Sequence, residues 1–181
     1  MSDLRHGDKV TDGVLWRGIG PAQPPPGRGK PYEIQQGKVV FSDEAFWDRM
    51  DSHPDPAQKS QRRQRPSFIL ASLCGEVPAV GLAQLKTEIP RTEALTGIEV
   101  PEILKVAGMP NSDWFPNPSK SGTVVPALEV VFEPEKGLPA HAVVTPRPEF
   151  HPRKVFDRMR DLLAVLASKY HANNGWVSPP P

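Results

Sequence analysis

The carboxy-terminal third of the chain constrains the fold most. Residues 124–133 (VVPALEVVFE) place Val124, Leu128, Val130 and Phe132 on one face and Glu129 and Glu133 on the other. Period-two alternation marks a half-buried strand. A second apolar stretch, residues 138–145 (LPAHAVVT), follows across Pro134-Glu135-Lys136-Gly137, a connection that suits a hairpin because glycine accepts positive φ. In residues 153–170, Val155, Met159, Leu162, Leu163, Leu166 and Tyr170 recur at helical spacing. Lys154, Asp157, Arg158, Arg160, Asp161 and Lys169 lie mostly on the opposite side. The pattern predicts an α+β fold, a mostly antiparallel sheet covered on one side by a C-terminal amphipathic helix.

Proline limits the rest. The chain holds 23 prolines in 181 residues, against a usual share of about 5%. Each one removes a backbone donor and fixes φ, so long proline-rich loops are expected, residues 20–31 (GPAQPPPGRGKP) among them. Short strands are predicted over 13–19, 37–42, 67–73 and 79–85. A helix over 43–50 follows Ser42, whose hydroxyl can cap it, with Asp43 and Glu44 at its positive end. Residues 86–97 read as a helical turn or a loop, Pro101 interrupts 98–106, and 108–122 read as an irregular loop. The length favours one domain, assigned to 13–171 with a flexible start over 1–12 and a tail over 172–181.

Several function classes lose support from composition. A formal net charge of +1 gives no overall attraction to nucleic acid or anionic lipid. Cys74 is the one cysteine, which rules out an internal disulfide and fits a reducing compartment. The first residues carry no apolar signal core. The longest apolar-rich stretch, 68–85, is broken by Gly75, Glu76 and Pro78, so no membrane span is expected and a cytoplasmic location follows. Gly27-Arg28-Gly29-Lys30 does not make a phosphate loop, because Pro24, Pro25 and Pro26 lack N–H groups and Pro31 follows the lysine. Gly18-Ile19-Gly20 lacks the third glycine of a dinucleotide fingerprint, with Gln23 in its place. His6, His53, His141, His151 and His171 include no pair at one-turn helical spacing, so no metal site is expected. No cofactor is expected either.

Two residues stand out as candidates for chemistry. Arg17 shares a strand face with Leu15 and Ile19. If that face is internal, the guanidinium needs a partner or ligand; on an edge strand it reaches water. His141 shares a face with Val143, either as a structural hydrogen-bonding residue or as a general base if Arg17 lies near it. Trp47, Trp114 and Phe115 are candidate partner-binding anchors, since tryptophan is enriched at binding hot spots. Lys59, Arg62, Arg63 and Arg65 form the one strong basic run, a nucleic-acid candidate without interleaved aromatics and by default a solvated loop.

The segment Trp16-Arg17-Gly18 resembles the first motif of ADP-ribosyltransferases of the Arg-Ser-Glu type. That resemblance implies a strand arginine gripping the phosphates of NAD, a serine-rich strand represented here by Phe41-Ser42, and a catalytic glutamate such as Glu88 or Glu129. A wider pattern joins Leu15-Trp16-Arg17, Ser42-Asp43-Glu44-Ala45-Phe46, and Pro139-Ala140-His141 followed by the terminal helix. It resembles small bacterial proteins of unassigned biochemistry and implies a stand-alone bacterial domain. The leading expectation is a non-enzymatic binding or accessory protein of the bacterial cytoplasm whose partner is another protein. The alternatives are a small NAD-dependent ADP-ribosyltransferase-like enzyme and nucleic-acid binding through 59–65. Oligomeric state is left open.

Overall fold

The computed structural model describes residues 4–20, 27, 29–46, 67–74, 83, 85–87, 92–106, 126–135, 139–147 and 152–174. The strands are β1 (Val14–Ile19), β2 (Tyr32–Gln35), β3 (Lys38–Phe41), β4 (Ser67–Leu70), β5 (Ala94–Glu99), β6 (Leu128–Phe132) and β7 (His141–Pro146). A 3₁₀ turn spans Asp43–Phe46, and the helices are α1 (Ala71–Cys74), α2 (Val100–Leu104) and α3 (Pro152–Asn174). Five strands form one sheet in the order β5-β1-β4-β7-β6, every neighbouring pair antiparallel, while β2 and β3 form a separate hairpin. The α+β architecture with a C-terminal helix is therefore present.

Alternation decides which side chains meet. Leu15, Ile19, Phe68, Leu70, Ile98, Leu128, Val130, Phe132, Ala142 and Val144 share one buried cluster with Met159, Leu163, Ala164 and Ala167 of α3. The opposite face carries a smaller cluster around Trp16, Ile69, Leu85 and Leu95. Tyr170 reaches that second face from the end of α3 and meets Trp16 edge-on, ring centroids 6.0 Å apart. The contact requires glycine opposite Trp16, because a Cβ at Gly97 would lie 2.6 Å from both rings.

Several expectations are corrected. The strand predicted over 67–73 ends at Leu70 and turns into α1. In the run 79–85, predicted as a strand, residues 83 and 85 are helical, as are 86–87, and the Thr87 hydroxyl donates to the Ala83 carbonyl one turn back. Periodicity does not separate a short buried helix from a buried strand. The stretch 86–97, expected as a helical turn or a loop, is helical at 86–87 and contains the start of β5. Pro101, read as an interruption, sits in the first turn of α2, where its missing N–H costs nothing. Arg160, placed on the solvent side of the terminal helix, is buried with its Nη1 3.7 Å from Asp43 Oδ2. The buried arc of α3 runs through Ala164 and Ala167, small residues that carry less weight in a reading built on leucines.

The β6 edge of the five-stranded sheet is covered, and one outward amide of the β5 edge is bonded. Residues 7–10, expected to fray, run beside β6: Gly7 N–H donates to Phe132 O, Phe132 N–H to Asp8 O and Val10 N–H to Val130 O. At β5, Gly97 N–H donates to His171 Nε2 at 3.4 Å. Covered edges prevent unwanted strand pairing.

Candidate functional site

Arg17 lies on an internal strand, since β1 pairs with both β4 and β5. This overturns the edge-strand reading. The side chain is 8% exposed. Its Nε donates to the Ala45 carbonyl at 2.7 Å. Its guanidinium carbon sits 5.6 Å from the Phe46 ring centroid and 5.8 Å from that of Phe68. The 3₁₀ turn thus supplies a carbonyl and one ring, and β4 supplies the other. Cation–π attraction strengthens away from water, and the carbonyl satisfies a donor whose burial would otherwise be costly.

His141 lies at the start of β7 and is 4% exposed. Its Nδ1 is 2.8 Å from the Glu133 carbonyl oxygen. A carbonyl only accepts, so Nδ1 is the donor in this bond. The Glu135 carboxylate lies 3.6 Å from the same Nδ1.

Register places the two residues on opposite faces. Trp16 pairs with Ile69, and Ile69 pairs with His141. Directly paired residues share a face and neighbours along a strand alternate. His141 therefore shares the face of Trp16, and Arg17 points the other way. Glu129 pairs with Thr145, two strand steps beyond Val143 on the His141 side, so it too faces away from Arg17. It is held by Lys9 at 2.9 Å. The Ser42 hydroxyl donates to the Lys30 carbonyl. The arrangement of Arg17 beside a general base or a catalytic glutamate, for which His141 and Glu129 were candidates, is not formed by these residues.

Trp47, Trp114, Phe115, Lys59, Arg62, Arg63, Arg65 and Glu88 lie outside the described residues. Among the described residues no group of three or more His, Cys, Asp or Glu side chains is arranged to hold a metal ion, and no helix is long and apolar enough to cross a membrane.

The strand predicted over 37–42 is present as β3, but the sequence reading missed β2 and the hairpin that the two form. Tyr32 pairs with Phe41, Glu33 with Val40, Ile34 with Val39 and Gln35 with Lys38. The two-residue connection has φ of 53° at Gln36 and 75° at Gly37, the signature of a type I′ turn. Phe41 N–H points away from β2, to Ser168 Oγ at 2.9 Å, and Ser42 N–H points toward it, to the Pro31 carbonyl. Antiparallel pairs alternate between bonded and non-bonded. The Ile34 N–H and C=O therefore face outward along β2. Ile34 is 66% exposed and Val40 38%. An open cleft of about 490 Å³ lies against the hairpin, lined in part by Lys30, Tyr32, Glu33, Val40, Asp43 and Glu44. The signal was present in Tyr32-Glu33-Ile34-Gln35 before Gly37, a period-two run only four residues long.

The fold and these surfaces define an α+β protein built on a five-stranded antiparallel sheet with an appended hairpin. No family model, curated protein or solved structure matches the chain.

Proposed function

We propose that this chain is a non-enzymatic binding or accessory protein of the bacterial cytoplasm, acting through protein–protein contacts. The observation that carries the reading is the hairpin edge. Residues 7–10 cover the β6 edge of the main sheet and His171 bonds one amide of the β5 edge, whereas β2 presents the outward amide of Ile34 beside an exposed apolar side chain. Strand edges of this kind recruit extended segments of other chains. The separation of Arg17 from His141 and Glu129 removes support from the NAD-dependent alternative. The single cysteine and the resemblance to small bacterial proteins support the assignment of compartment and origin.

The test is site-specific photo-crosslinking in living bacteria that express the chain. A crosslinker at Ile34 or Val40 should give a discrete adduct that one at Val165, which is 64% exposed on α3, does not. The same adducts from all three positions, or none, would contradict the reading.

A further inference from the structure

We infer that the hairpin takes an extended, cationic segment of a partner protein along β2, with basic and apolar side chains alternating. This rests on the binding reading above and specifies the chemistry of its partner. Three observations fix that chemistry. The outward N–H and C=O of Ile34 can pair with the backbone of an added strand. Side chains of such a strand alternate between the two faces of the hairpin. On the outer face they meet the cleft, where, among the described residues, Glu33, Asp43 and Glu44 supply three carboxylates and Lys30 one ammonium. Asp43 already faces Arg160. Among the described residues, no Lys, Arg or His forms an ion pair with Glu33 or Glu44. A lysine or arginine opposite Glu33 therefore gains an attraction that an acidic residue there would replace with repulsion. On the other face the added strand meets Ile34, which projects past the core and offers a β-branched neighbour to an aliphatic side chain. The charge of this cleft contrasts with the near-neutral chain as a whole, so the selectivity is local.

The experiment uses the full chain and a capped hexapeptide of alternating lysine and valine, followed through backbone amide shifts by nuclear magnetic resonance. The expected result is saturable binding, with the largest shifts at Glu33, Ile34 and Val40 and none from the glutamate–valine counterpart. Glu33→Lys should weaken binding roughly five-fold, with unchanged Val39 and Phe41 shifts reporting an intact hairpin. No shift at millimolar peptide, or equal binding of the acidic peptide, would overturn the inference. Self-association of the free chain that is lost in Ile34→Lys would also overturn it, in favour of a second copy as occupant. Cellular crosslinks from Ile34 without peptide binding would sink the cationic chemistry alone. Peptide binding without such crosslinks would sink the cellular reading instead.

Discussion

Arg17 shows how one side chain ties a local turn to the sheet. Its Nε satisfies the Ala45 carbonyl and its guanidinium packs against both Phe46 and Phe68, whose ring centroids are 6.2 Å apart, so the guanidinium joins the 3₁₀ turn, β1 and β4 at one point. Arg17→Ala should lower stability by about 2–4 kcal/mol, through an unpaired carbonyl and a cavity beside two rings. Arg17→Met, which restores volume without the donor, should lose less. Urea denaturation of both variants measures this, and equal losses would show that packing is not part of the role. The sequence identified Arg17 as a residue on an apolar face but did not reveal which partner met it. That partner, Ala45, is 28 positions away, and only the tertiary fold brings a carbonyl to that place. His141 was legible in the same partial way: its face and burial followed from alternation, and its bond to Glu133 required the turn between β6 and β7.

At the scale of elements, the hairpin turn is the most strained feature with a simple remedy. Gln36 holds φ of 53°, a region that asparagine and glycine tolerate better. Gln36→Asn should raise thermal stability by about 0.5 kcal/mol, and Gly37→Ala should lower it by about 1 kcal/mol. Unchanged melting in both would contradict the type I′ assignment. The second element-scale contact is the clamp between α2 and α3. Lys105 and Lys169 both hydrogen-bond the Glu102 carboxylate, the latter at 2.7 Å, and hold its pKa down from the ordinary 4.5 to about 2. Because the folded value is the lower one, the unfolded chain takes up this proton first. The contribution of Glu102 is complete above about pH 4.5 and is lost as pH falls toward 2. Lys169→Ala should move the Glu102 midpoint upward in a carboxyl-carbon titration; an ordinary midpoint in the unmodified chain would refute the clamp. Elements were legible wherever the period was long: β6, β7 and α3 stand where alternation and helical spacing put them, with shorter strands and a longer helix than predicted. β5 was not, because Ala94-Leu95-Thr96-Gly97 is weakly apolar and Gly97 is there to admit Trp16 and Tyr170.

At the scale of the whole molecule, coverage of strand edges organises the account. Residues 7–10 run along the β6 edge, and His171 in the last turn of α3 bonds an amide of the β5 edge. Neither device is visible in sequence, since each joins segments far apart in the chain. β2 presents the backbone amide of Ile34 outward. Residue-resolved hydrogen exchange measures this asymmetry directly. The Phe132 and Phe41 amides, bonded to Asp8 and Ser168, should exchange at least about a hundredfold more slowly than the Ile34 amide. An Ile34 amide protected as strongly as those two, or a Phe132 amide exchanging as fast as Ile34, would contradict it.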